Sequence, residues 1–184
     1  SRRRNSADGF SPPCAGAGVP SLARSMDLVI VRENTEGFYA DRTMHMGPGE
    51  FMPTPDLAIA MRKITRQGSE RIGRAAAAVA AGRRGKLAIV TKSNVLKVSD
   101  GLFRNAVQAA ARDQAGLDIE EVLVDAMASL LVREPERFDV IVTSNMFGDI
   151  LSNLAAELAG GLGVAGSLNA GDSCAVAQAS HGSA

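Results

Sequence analysis

Cysteine is scarce in this 184-residue chain: the two, Cys14 and Cys174, stand far apart and in no metal-ligand spacing. That spacing excludes a thiolate metal site and gives no support to a disulfide, so both read as free thiols of a reducing compartment. An excess of either charge is also missing, with 20 basic residues against 20 acidic. A nucleic-acid binder, which needs positive charge to displace counterions, is thereby disfavoured. No apolar run approaches the ~20 residues of a membrane span. The opening Ser1-Arg-Arg-Arg4 is basic, yet no apolar core follows it, which argues against a secretory signal. Internal repeats are lacking too. What is left is a globular protein with a cytoplasmic expectation, 46% apolar and long enough to bury a core.

Residues 1–18 are rich in Gly, Pro and Ser without periodicity and read as an irregular terminus. Asp27 to Val31 reads as a strand. Asp41 to Pro55, with its Gly, Met and Pro, suits a hairpin or protruding arm, equally a plain surface loop. From Asp56 to Ala81 the spacing predicts a helix, with Pro55 and Asp56 as start signals. Its apolar stripe is Ala58, Met61, Ile64, Gly68, Ile72, Ala75 and Val79, and Arg62, Lys63, Arg66, Glu70 and Arg74 form a solvated face. Gly82 and Gly85 end it. Leu87 to Val90 and Ile119 to Val124 read as strands. Helices are expected from a cap at Ser99 and Asp100 to about Ala115, and from Asp125 to Val132. Beyond Glu157 the small residues look too loose for a regular helix. Strands alternating with helices imply a layered α/β domain with at least partly parallel strands.

The stretch around which the rest is organised is Phe138 to Asn153. Val140 to Val142 is a run of apolar β-formers, Thr143 to Asn145 break it, and a helix begins near Gly148. On that helix Asp149 and Asn153 are four apart, so their oxygens share one face about a turn from each other. An oxygen pair just beyond a strand's C-terminal end lies where open α/β sheets put their ligands, and hard cations take such donors. By spacing alone, an acidic first turn serving the helix dipole explains Asp149 equally well. Similar plain readings exist for the other candidates. Arg32 could form a surface salt bridge, Tyr39 could be half-buried, Lys92 solvated, and Asp125 a helix cap.

Four stretches taken in order carry a more specific signal. They are Val31-Arg-Glu-Asn-Thr-Glu-Gly-Phe-Tyr-Ala40, Lys92-Ser-Asn94, Val124-Asp-Ala-Met127 running on to Asn145-Met-Phe-Gly-Asp-Ile-Leu-Ser-Asn153, and His181-Gly-Ser-Ala184. From about Gly18 to Ala184 the chain resembles the metal-dependent decarboxylating dehydrogenases of 2-hydroxy diacids: the isocitrate, 3-isopropylmalate, homoisocitrate and tartrate dehydrogenases. The resemblance implies an isocitrate/isopropylmalate dehydrogenase-like layered α/β fold. Residues 19–160 would be the central substrate-binding, metal-binding and dimerising domain. Residues 161–184 would begin the return to an incomplete cofactor domain.

By the same resemblance Arg32 binds a substrate carboxylate, Tyr39 relays a proton during enol-to-keto conversion, Lys92 accepts the hydroxyl proton, and Asn94 binds the substrate beside it. Lys97 matches nothing and reads as surface. Asp125, Asp149 and Asn153 would hold Mg2+ or Mn2+, with Lys92 and Asp125 lent to a partner subunit's site in a homodimer. His181, Gly182, Ser183 and Ala184 look like the opening of the family's adenosine-binding loop for NAD or NADP. The family uses no Gly-x-Gly-x-x-Gly loop for its cofactor, and none is expected in this chain. The apolar Met44, Met46, Phe51 and Met52 would belong to an arm that clasps the partner. One departure stands out: the commonest form of the motif has an aspartate where this chain has Asn153. An amide oxygen ligates with one less negative charge, so weaker cation binding is expected. The arginines at positions 2–4 sit in unfamiliar surroundings and take no role. Set against the family, the chain reads as a fragment covering its central part, and a non-catalytic dimerising piece is the alternative to an active enzyme.

Overall fold

The computed structural model describes residues 10–11, 22, 26–39, 44–161, 165–171 and 173–179. Its centre is a seven-stranded sheet of order β6-β5-β7-β2-β1-β8-β9. The strands are β1 (Phe10–Ser11), β2 (Val29–Arg32), β5 (Lys86–Thr91), β6 (Asp118–Leu123), β7 (Val140–Thr143), β8 (Gly166–Ala170) and β9 (Ala175–Ala179). The four strands β6, β5, β7 and β2 run parallel, with Val29 opposite Val140 and Leu87 also opposite Val140. β1 pairs antiparallel with β2 and β8, and β8 with β9.

Continuous burial of Val140 to Thr143 matches their unbroken apolar spelling, because a parallel strand is covered on both faces. On one face α1 (Arg66–Ala81) and α2 (Ser99–Arg112) pack Ile72, Ala76, Phe103 and Val107 against Val29, Val31, Ile89 and Val142. On the other, α3 (Val124–Arg133) and α4 (Asn145–Ala159) pack Met127, Leu131, Leu151 and Ala155 against Ile30, Val90 and Ile141. The layered α/β expectation holds, as do the strand at 27–31 within two residues and the helix at 125–132. The helix expected from Ser99 ends at Arg112, and Ser99 and Asp100 do not cap it: its N-cap is Val98, and the two side chains bond Arg62 and the Lys92 amide instead.

The approach of α1 to α2 depends on Gly73. A Cβ there would stand 2.9 Å from Val107 Cα, a backbone atom that cannot swing aside. Gly73→Ala is expected to cost about 1–3 kcal/mol through overpacking, read as a fall of several degrees in the thermal midpoint. An unchanged midpoint would show that the helices part freely.

Several expectations need correction. The helix predicted from Asp56 begins only at Arg66; Thr65 is its N-cap and accepts from the Gly68 amide at 3.1 Å. Pro55 and Asp56 instead form the turn of a hairpin, β3 (Glu50–Thr54) with β4 (Leu57–Ala60), because the same residues start turns as readily as helices. Arg62 therefore lies on no helix face and is not solvated: its side chain is 7% exposed. All nine strand residues of the hairpin are exposed, Phe51, Met52, Leu57 and Ile59 among them.

The central helix starts at Asn145 rather than near Gly148. The small-residue stretch after it ends in the β8–β9 hairpin, where a lack of bulky β-formers hid two strands. Gly161-Leu-Gly-Val-Ala-Gly166 does spell Gly-x-Gly-x-x-Gly, contrary to the expectation that no such loop would be found. It follows a helix and precedes a strand, the reverse of the dinucleotide loop's setting, so it carries no nucleotide role. Among the described residues, no helix is long and apolar enough to cross a membrane.

Candidate functional site

The C-terminal ends of the parallel strands gather the chemistry in two groups. The first stands over β2 and the start of α4. Arg32, the last residue of β2, donates from Nε to Asn145 Oδ1 at 2.9 Å and from Nη1 to Asp149 Oδ1 at 3.0 Å. Tyr39 Oη donates to the other Asp149 oxygen, Oδ2, at 3.2 Å. Asn153 lies a turn further along α4, exposed on the helix. Gly148 makes this arrangement fit, since a Cβ on it would meet Arg32 Cγ at 2.6 Å and Arg32 Cβ at 2.8 Å.

Two buried carboxylates in the loop between Arg32 and Tyr39 turn inward rather than toward a ligand. Glu33 accepts from the amides of Thr35 (2.9 Å) and Glu36 (2.8 Å), and from Arg71 Nη2 at 3.1 Å. Glu36 accepts the Thr65 amide at 2.7 Å and the Thr65 hydroxyl at 2.5 Å, fastening the loop to the start of α1. The acids that surround Arg32 in sequence therefore serve as local scaffolding, with their buried oxygens satisfied.

The second group stands over β5 and β6. Lys92 follows the end of β5, and its Nζ lies 2.6 Å from Asp125 Oδ1 in the first turn of α3. The hydrogen bond from Lys92 holds the Asp125 carboxyl below the usual aspartate range. Ser93 Oγ and Thr91 Oγ1 both donate to Glu121 Oε1, at 2.6 and 2.7 Å. Burial alone would push the Glu121 carboxyl up, but the Ser93 and Thr91 bonds and the Arg104 charge outweigh it, and it lies below its ordinary value. Asn94 and Lys97 are exposed. Since β7 separates β5 from β2, the two groups hang from backbones roughly 10 Å apart, and Lys92 is turned away from Arg32, toward the β6 edge.

So the structure brings Arg32, Tyr39 and Asp149 together, and Lys92 with Asp125, but it does not join the two groups in one chain. Among the described residues no three His, Cys, Asp or Glu side chains gather as metal ligands. Asp149 and Asn153 offer one carboxylate and one amide; Asp125, exposed at the other group, offers a second carboxylate. These are oxygen donors, which fit a hard cation such as Mg2+ or Mn2+ rather than zinc or copper. Within this chain the Asp149–Asn153 pair and Asp125 stand in different groups, Asp125 being paired with Lys92. His181 to Ala184 lie outside the described residues, as do the arginines at positions 2–4 and Cys14; Cys174 is exposed with a free thiol.

A sequence profile of the isocitrate/isopropylmalate dehydrogenase family matches residues 13–184. The chain belongs to that family. It is 48% identical over 173 residues to an isocitrate/homoisocitrate dehydrogenase of Thermus thermophilus, covering 94% of this chain and 49% of that protein. It is 43% identical over 175 residues to a 3-isopropylmalate dehydrogenase of Archaeoglobus fulgidus, with 94% and 51% covered. Among solved structures, the isocitrate dehydrogenase of Methylococcus capsulatus superposes with a TM-score of 0.86 at 38% identity, over 95% of this chain and 51% of that one. The TT0538 protein of Thermus thermophilus gives 0.87 at 40%, over 95% and 34%. The chain thus spans about half the length of the curated relatives it matches, and the family's fold is confirmed over nearly all of it.

Sequence reasoning missed the support given by Arg62, Asp100 and Glu121, which stand in no motif, and by Asn145, which lies in the Asn145–Asn153 stretch but was given no role there. Arg62 and Asp100 are 38 positions apart, and nothing in either neighbourhood marks them as partners.

Proposed function

We infer that this chain is the central, substrate- and metal-binding part of an enzyme that oxidatively decarboxylates a 2-hydroxy diacid of the isocitrate or 3-isopropylmalate type, using NAD or NADP and Mg2+ or Mn2+. The carrying observation is the convergence of Arg32 Nη1 and Tyr39 Oη on one carboxylate, that of Asp149. A charge-assisted donor and a phenol that can share one anionic group are what a diacid with a labile proton requires. Arg32 binds the substrate carboxylate, oriented by Asn145. Tyr39 returns a proton from its phenol as the enol becomes the ketone. Lys92 takes the hydroxyl proton, with Asn94 beside it. Asp149 and Asn153, with Asp125 of a second copy, would hold the cation, which supplies Lewis-acid stabilisation of the negative charge on the substrate oxygens. His181 to Ala184 would contact the adenosine of the cofactor.

Separation of the two groups supports a homodimer, in which Lys92 and Asp125 of one chain serve the Arg32–Asp149 group of the other. Residues 19–160 would be the dimerising unit, and the exposed Met46, Phe51 and Met52 of the hairpin region its clasp. A cytoplasmic setting suits this chemistry.

The test is cofactor reduction, followed by absorbance, with Mg2+ or Mn2+ and a panel of isocitrate, homoisocitrate, 3-isopropylmalate and tartrate. Metal-dependent reduction with one of them is the expected result. No reduction with any, from protein shown to be folded and dimeric, would leave a non-catalytic dimerising unit in place of an enzyme. In the active protein, Gly148→Ala is expected to keep the fold, displace Arg32 and lower kcat/KM about 100-fold. Wild-type kinetics from that variant would remove Arg32 from substrate binding.

A further inference from the structure

The two groups of site residues do not touch each other, yet one buried side chain reaches the supports of both. Arg62 enters from the segment after β4, and its guanidinium lies over the rings of Phe38 and Phe147, with centroids 5.7 and 5.3 Å away. Its Nη2 donates to Ser144 Oγ at 3.0 Å and its Nη1 to Ser99 Oγ at 3.0 Å. The same Nη1 is bonded to Asp100 Oδ1, and the Asp100 side chain is 1% exposed. The other Asp100 oxygen, Oδ2, accepts the backbone amide of Lys92 at 2.5 Å.

What these partners share is their position. Phe38 precedes Tyr39; Ser144 precedes Asn145, which holds Arg32; Phe147 is two residues from Asp149; and Asp100 carries Lys92 by its amide. A buried ion pair adds little net stability over an apolar pair of the same shape, because desolvation offsets the attraction. A planar fork does offer fixed directions that an apolar side chain or a lysine lacks. We propose that Arg62, acting through Asp100, is a positioning residue that fixes the Lys92 loop relative to the Arg32–Tyr39–Asp149 group, so that each chain presents its two half-sites at a set separation.

This rests on the dehydrogenase reading for its catalytic consequence, but the positional claim stands on its own observable. Arg32 is held separately by Asn145 and by the space over Gly148, so the part that loosens without Arg62 is the Lys92 loop. The proton acceptor is then misplaced, while the substrate grip stays.

The experiment compares Arg62→Lys, Arg62→Met and Asp100→Asn with the wild type. Circular dichroism first selects the variants that fold. Hydrogen exchange at the Lys92 amide is then measured by NMR, together with kcat and KM in the dimer. In the folded variants the Lys92 amide is expected to exchange at least tenfold faster. Their kcat per folded dimer should fall about 100-fold, the scale of a 1 Å misplacement, with KM within about threefold. Arg62→Lys keeps the charge but loses the fork, so it should behave like Arg62→Met rather than rescue. A kcat equal to wild type in any folded Arg62 variant would overturn the proposal and reduce Arg62 to a stabilising contact. Should the wild type itself turn over no substrate, the dehydrogenase reading fails, and amide exchange alone decides: unchanged protection of Lys92 overturns the brace, faster exchange upholds it.

Discussion

Asp149→Ala is expected to abolish binding of Mn2+ measured by calorimetry, a loss beyond about 100-fold. Losing a group that merely orients a ligand already costs 10–100-fold in metal affinity, and Asp149 would be a ligand itself. The helix should survive the change. Asp149 lies inside α4, after Ser144, Asn145 and Gly148 have set the helix start, and Gly148 N already donates to the Ser144 carbonyl at 2.8 Å. Arg32 would keep its Nε bond to Asn145 while losing its Nη1 partner, which at 24% side-chain exposure it can replace with water. Circular dichroism should therefore be near wild type, and a lost signal in the calorimeter would report on the cation alone. The reciprocal change, Asn153→Asp, adds a carboxylate one turn away and is expected to tighten binding. Equal affinity in wild type and Asp149→Ala would remove the helix from the metal site.

The second large effect concerns sharing between subunits. A chain with Lys92→Ala and a chain with Arg32→Ala should each be inactive as homodimers. Mixed after unfolding and refolded together at equal amounts, half the dimers would be mixed. Each mixed dimer has one site with both losses and one site with none, so about a quarter of the wild-type rate returns. The geometry behind this is the direction of Lys92, whose ammonium is held by Asp125 at the β6 edge and not by anything on β2 or α4. If the site were built within one chain, no mixed dimer would contain an intact site and the rate would stay at zero. Mass spectrometry should verify that mixed dimers formed.

Much of this was legible in the residues. The strand Val140 to Thr143 announced itself because a parallel strand is covered on both sides and needs an unbroken apolar run. Asp149 and Asn153 could be placed on one face because helical periodicity is strict. Arg32 with Tyr39, and Lys92 with Asp125, were found through wording similar to known dehydrogenases, and the structure pairs them as two groups. What failed was local. Pro55 and Asp56 fit a turn tip as well as a helix start, and only the Thr65 side chain on the Gly68 amide decides between them. The β8 and β9 strands carry a single β-branched residue, Val176, among mostly small and polar ones whose β-preference is weak, and are held by their pairing. Arg62 was read as a solvated charge because burial of a cation is set by partners far along the chain, here Asp100 and Ser144, which no spacing rule connects.

The β3–β4 hairpin sets how this protein must be handled. Two strands alone are marginal in water, and this pair exposes Phe51, Met52, Leu57 and Ile59. An apolar ribbon of that kind with open edges is adhesive toward any other chain that dilution, heating or overexpression leaves unfolded nearby. In the homodimer proposed above a second copy would cover it, and whatever binds the folded form raises its apparent melting temperature with concentration. Thermal midpoints from micromolar and nanomolar samples should then differ, and the gap between them would measure how tightly two copies hold each other.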